Sequence, residues 1–195
     1  MIRKAPFVIL SLLVLGLIAS LFAYQAQAQI YVGNFLGENI PTFPNNANGN
    51  VLPKTNIQGT ATILSGPAGV AVDADFIYVA NLGNSSIDVS PIDSNGNVAP
   101  TRSIKGAATT LNGPQYVVVN SDFIYVANQG NNSIDVFPIK VPIPISAYEN
   151  MAPIRSIQGA ATALLGPFGI ALGPSTGSGE KLGISQIYLL LLGDQ

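Results

Sequence analysis

The chain has no cysteine and no histidine among its 195 residues. Lacking cysteine, it can hold no disulfide, carries no lipid-modified N-terminal cysteine and offers no thiol nucleophile, so its stability has to come from packing. Lacking histidine, it has neither the commonest general base nor an imidazole metal ligand, and a serine triad of the usual kind cannot be built. Charge is scarce as well, at 9% of residues. With Arg3 and Lys4 set aside, six basic residues face ten acidic ones, a formal charge of −4. No basic stripe remains, which argues against nucleic acid and anionic membrane surfaces as partners. What is abundant is apolar side chains (48%), with 20 glycines and 14 prolines. That mixture is too apolar for a disordered chain and suits an all-β protein with many turns.

The N-terminus reads as a targeting segment. Arg3 and Lys4 form a short basic start, an uncharged apolar run of 17 residues extends from Phe7 to Ala23, and Ala26-Gln27-Ala28 places small residues where a signal peptidase reads them. Residues 1–28 are therefore expected to be a signal peptide, with the mature chain starting near Gln29 in a secreted or periplasmic location. The alternative is an uncleaved membrane anchor, although such a run sits at the bottom of the spanning range.

Beyond that segment the text repeats. Ile30-Tyr-Val-Gly-Asn34, Ile77-Tyr-Val-Ala-Asn81 and Ile124-Tyr-Val-Ala-Asn128 recur every 47 residues. A fixed period of this size marks a repeat architecture. Three repeats follow, at 30–76, 77–123 and 124–172, each with four strand signals. The Ile-Tyr-Val strand is apolar almost throughout, as expected of a strand covered on both faces. The second strand alternates, in Ile87-Asp88-Val89 and Ile134-Asp135-Val136, so its aspartates are expected on a solvated face. Gly83-Asn84 and Gly130-Asn131 lie between these two strands and tolerate positive φ, favouring a tight hairpin. A short third strand begins after a proline and carries a basic residue, in Pro100-Thr-Arg-Ser-Ile104 and Pro153-Ile-Arg-Ser-Ile157. Such residues protect an outer edge. The fourth strand follows Gly-Pro in each copy, at residues 66–67, 113–114 and 166–167.

Four short strands in a repeat of this length make a β-propeller blade. The repeat resembles the NHL-type and related YVTN-like propeller repeats of exported bacterial proteins. The residues that carry the resemblance are Gly166-Pro-Phe-Gly-Ile-Ala171, Ile124-Tyr-Val-Ala-Asn-Gln-Gly-Asn-Asn-Ser-Ile134 and Asn97-Val-Ala-Pro-Thr-Arg-Ser-Ile104. The resemblance covers residues 30 to about 172 and implies propellers used mainly as scaffolds and binding surfaces. The expected fold is all-β, made of four-stranded antiparallel blades with a period of about 47. Propellers close with typically 4–8 blades, and this chain carries three, followed by a tail at 173–195 in which Ile187-Tyr188-Leu189 resembles an aborted first strand. An incomplete or oligomer-completed propeller is expected: a fragment of a larger propeller without independent function, a homodimer completing a six-bladed ring, or an open arc capped by the tail or another chain.

The residues offer little chemistry. Asp73-Ala-Asp75 has the oxygens for calcium, yet Asn120-Ser-Asp122 takes its place in the next copy, and a tight turn explains both. Asn34, Asn81 and Asn128 are the only polar residues shared by all three copies of the first strand. They form either a ring of amides near one mouth of an axial channel, binding a sugar or peptide, or caps on their own turns. The third repeat departs from the period by six residues within 140–149, where Tyr148 and Glu149 project from a proline-rich loop. Loops on rigid scaffolds often hold binding residues. The expectation is a binding or scaffold module for a protein or carbohydrate ligand, without cofactor or catalysis. The other functional class is a metal-assisted hydrolase of lactones or sugars, for which no acidic cluster can be identified.

Overall fold

The computed structural model describes residues 28–140 and 149–173. All but Ala28 of the expected signal peptide, Tyr148 and residues 187–189 of the tail lie outside them. Among the described residues eleven strands form three antiparallel sheets. The first holds β1 (Gln29–Tyr31), β2 (Asn39–Pro44) and β3 (Thr55–Gln58). The second holds β4 (Pro67–Val72), β5 (Phe76–Asn81), β6 (Ser86–Pro91) and β7 (Arg102–Ile104). The third repeats that pattern with β8 (Pro114–Val119), β9 (Phe123–Asn128), β10 (Ser133–Pro138) and β11 (Arg155–Ile157). Strands are ordered in space as in sequence.

The sheets are offset from the sequence repeats. The fourth strand of each repeat pairs with the first strand of the next, β4 with β5 and β8 with β9. The turn between them dictates this, because so short a connection can join only antiparallel neighbours of one sheet. Asp73 builds the turn. Its backbone N–H donates to Phe76 O (3.1 Å), and its Oδ1 accepts from the N–H groups of Asp75 and Phe76, each at 2.8 Å. Asn120 does the same with Asp122 and Phe123, which is why aspartate and asparagine interchange at this position.

The apolar β5 strand is covered on both faces, and its two faces serve two cores. Ile77 and Val79 pack with Ile40 and Ile57 of the first sheet. Tyr78 and Ala80 join Ile87, Val89, Val117 and Val126 between the second and third sheets. β4 and β8, the innermost strands, lie close enough that a Cβ on Gly69 would sit 2.7 Å from Tyr116 Cα and 2.8 Å from Gln115 O. Only glycine permits that approach.

Two local expectations are corrected. The left-handed residues of the β5–β6 and β9–β10 turns are Ser85 (φ 51°) and Asn132 (φ 56°), not the Gly-Asn pairs. Gly83 is needed for clearance instead, since a Cβ there would stand 2.5 Å from Ser65 Oγ and 3.0 Å from Ser65 O. On the outer edge, Arg102 does not simply project into water. Its guanidinium lies 5.0 Å above the Phe76 ring and donates from Nη1 to Ile139 O of the third sheet (3.0 Å).

Candidate functional site

The recurring asparagines lead inward. Asn81 is fully buried; its Nδ2 donates to Asp88 Oδ2 (2.7 Å) and Ser86 Oγ (3.2 Å), and its Oδ1 accepts from Ser65 N (3.2 Å). Ser103 Oγ donates to Asp88 Oδ1 at 2.5 Å from the neighbouring strand. Asn128 repeats the arrangement with Asp135 Oδ2 (2.8 Å) and Ser133 Oγ (3.2 Å), and Ser156 Oγ donates to Asp135 Oδ1 (2.6 Å). Asp88 and Asp135 are therefore buried, at 2% and 0% exposure, which overturns the solvated-face reading. Strand alternation was right about the face and wrong about its surroundings, because Ile63 and Thr110, which end the 3₁₀ turns Thr60–Thr62 and Ala107–Thr109, accept through their carbonyls from Asn84 and Asn131 and so bring these loops against the hairpins that carry the aspartates. Thr110 also donates from Oγ1 to Asp135 Oδ2 (2.9 Å).

Burial pushes the Asp88 carboxyl up to about 6, against the lowering effects of Ser103, Ser86, nearby Lys105 and Asn81. In the first sheet proline stands at the aspartate's position, and amides replace the cluster: Asn34 Nδ2 donates to Asn39 Oδ1 (2.8 Å), and Asn39 Nδ2 to Asn56 Oδ1 (2.9 Å). Asn81 and Asn128 thus have all their partners inside their own sheets and loops, while Asn34 is exposed at a sheet edge. Among the described residues no three acidic side chains converge in a way that would hold a metal.

Glu149 is exposed, and its backbone joins two sheets: its carbonyl accepts from Lys105 N (2.9 Å), while Asn150 Oδ1 accepts from Ala108 N (2.9 Å). One sheet earlier Asn97 Oδ1 accepts from Ala61 N in the same way (2.7 Å). The structure does not bring Glu149 together with the three asparagines.

An open cleft of about 450 Å³ lies along the inner strands, lined by Gly33, Phe35, Ala68, Leu82, Gln115, Tyr116, Phe168 and Gly169. Three aromatic rings, Phe35, Tyr116 and Phe168, stand exposed around it. Gln115 Nε2 donates to Gln129 Oε1 (2.8 Å), fixing an amide pair beside the rings. Sequence reading passed over these aromatics because it weighed what the repeats share. Each stands where another copy has a small or aliphatic residue: Tyr116 matches Gly69, Phe168 matches Ala68, and Phe35 matches Leu82. Departure from the repeat was the signal.

One three-stranded and two four-stranded antiparallel sheets, packed face to face with β4 and β8 innermost, define blades of an incomplete β-propeller. Solved structures agree on the fold. Hydrazine synthase of Kuenenia stuttgartiensis matches over 72% of this chain and 34% of its own, at 20% identity and a TM-score of 0.50. A Bacteroides fragilis protein provisionally assigned as a 6-phosphogluconolactonase matches over 69% of this chain and 37% of its own, at 21% identity and a TM-score of 0.50. This chain thus spans about a third of the length of each. No protein-family model matches the sequence. No curated protein matches it.

Proposed function

We propose that the chain is an exported, non-catalytic propeller module of the NHL or YVTN-like kind, binding a carbohydrate in the axial cleft. The observation that carries this reading is the trio of exposed rings, Phe35, Tyr116 and Phe168, beside the Gln115 amide in one concave surface whose lining contains no carboxylate. Flat aromatic faces accept the C–H faces of sugar rings, and an amide both donates to and accepts from hydroxyls. Pockets that combine apolar walls with a few placed polar groups are where ligands bind. The recurring asparagines support the scaffold role, since their amides hold the blades together internally.

The test is a titration with neutral oligosaccharides, read by tyrosine fluorescence in a chain that has no tryptophan. Saturable binding is expected, with Tyr116→Ala weakening it roughly tenfold, the equivalent of about 1.4 kcal/mol. Failure of every sugar in the panel, or undiminished binding by the variant, would refute it. The same sample tests the hydrolase reading. Calcium is expected to leave the melting temperature unchanged; a calcium-dependent rise together with lactone hydrolysis would favour the enzyme.

A further inference from the structure

Neighbouring repeats are joined here by three kinds of contact, and the first and last described repeats carry unmatched halves of all three. The first is the inner strand. β4 pairs with β5 from Pro67↔Asn81 to Val72↔Ile77, and β8 pairs with β9 in the equivalent register. Residues 167–172 are the third copy of the β4 text and form no ladder among the described residues. Residues 30–34 are the third copy of the β5 text and lie at a sheet edge with no second neighbour among the described residues. Carried over, the register sets Ile170 opposite Val32 and Leu172 opposite Ile30. Burial shows what is missing: Ile30 and Val32 are 46% and 38% exposed, whereas Ile77 and Val79 are 1% and 3%.

The second contact is the outer turn. Asn97 and Asn150 cap the preceding blade's 3₁₀ turn through Ala61 N and Ala108 N. By the same spacing the unmatched members are Asn50 at one end and Ala161 at the other. A Cβ on Gly59 or Gly106 would meet the capping asparagine, while one on Gly159 would meet none of the described residues within 4 Å.

The third contact is the hairpin. Gly83 lies against Ser65, and Gly130 against Asn112. The corresponding unmatched pair is Leu36 and Leu165, which are 90% and 89% exposed. Where the internal blades set glycine against a polar residue, the two ends set leucine against leucine. An apolar pair at matched positions on opposite ends is what a joint between those ends requires.

We infer that two copies of this chain associate head to tail, residues 167–172 of each adding as the innermost strand beside residues 30–34 of the other. Edge strands with unpaired N–H and C=O groups accept such additions. Two copies suit the count of described blades: three from each give six, within the range in which propellers close. Within one chain both segments border the axial cleft without pairing. The joint would therefore also complete the cleft, facing each copy's aromatic rings with those of its partner.

Since the chain has no cysteine, an introduced pair reports on the joint alone. Val70↔Val79, the template for Ile170 and Val32, falls on a non-hydrogen-bonded pair, counting from the Asp73 N to Phe76 O bond. Side chains approach closest there, which suits a disulfide. Val32→Cys and Ile170→Cys are placed in separate full-length chains, which are unfolded, mixed, refolded together and mildly oxidised. The expected product is a covalent pair containing one of each, and light scattering on the unmodified chain should give the mass of two copies. The inference is overturned by no mixed pair, by an intrachain link in the doubly substituted chain, or by a one-chain or polydisperse mass. Leu36→Asp alters only an exposed side chain, so it should halve the mass while leaving the circular dichroism unchanged. An unaltered two-chain mass would equally overturn the proposal.

Discussion

The buried carboxylate of Asp88 makes stability depend on pH in a direction opposite to that of most paired carboxylates. Its folded pKa is about 6 against an ordinary 3.8, with burial the main cause. A raised carboxyl pKa means that the folded state holds the proton more tightly than the unfolded one, so between these values the native chain binds more protons. Stability from this group is therefore greatest below 3.8, falls as pH rises through 6, and is constant above. Two pKa units at 1.36 kcal/mol each put the span at about 3 kcal/mol. Asp73 acts in the opposite direction: burial raises its pKa, but hydrogen bonds from Tyr78, Asp75 and Phe76 and the charge of Arg102 outweigh this, and the net shift is downward. The clean quantity is thus the difference between the native chain and Asp88→Asn, which cannot titrate. Urea denaturation of both at pH 4, 5, 6 and 7 should show the native chain losing about 2–3 kcal/mol relative to the variant across that range. Asp88→Asn itself is expected to cost about 1–3 kcal/mol at pH 4, because its amide would set a donor against Asn81 Nδ2 or Ser103 Oγ. Ser103→Ala removes a hydrogen bond that lowers the Asp88 pKa, so the upper end of the pH window should move above 6. Parallel pH profiles for the native chain and Asp88→Asn would refute the reasoning.

Two further outcomes test the packing between blades. Gly69→Ala should destabilise the chain by about 1–3 kcal/mol, because its methyl would press on the Tyr116 and Gln115 backbone, which cannot turn aside. Gly96→Ala, where φ is 74° and nothing lies within 4 Å, should cost about 1 kcal/mol from backbone conformation alone; equal losses in thermal unfolding would contradict this. Arg102→Ala, losing both the Phe76 stack and the bond to Ile139 O, should cost about 1–2 kcal/mol. Arg102→Lys should recover less than half of that, and full recovery would show that charge alone mattered.

The cleft and the open ends bear on each other. Residues 30–34 and 167–172 border that cleft and form no ladder with each other among the described residues. If two copies close the ring, a sugar in the cleft is held by both. Binding should then be lost in Leu36→Asp together with the dimer, although the cleft residues of that chain are intact.

Local chemistry was legible in the linear text wherever the repeat itself set it. Spacing gave the blades, Gly-Pro and the Asx turns gave the strand limits, and the continuous apolar text of Ile77-Tyr-Val-Ala80 gave a strand covered on both faces. These properties depend on nearest neighbours along the chain and on side-chain period. Three-dimensional packing decided the rest. Alternation places Asp88 opposite Ile87 and Val89, but only the loop from the preceding blade determines whether water reaches that face. The turn glycines are explained by Ser65 and Asn112, more than fifteen residues away in sequence and in van der Waals contact in space. The aromatics of the cleft come from three different repeats, and no local pattern shows that they meet. Sequence fixes what each blade is; contact between blades determines which of its residues are buried, which are charged and which remain free to bind.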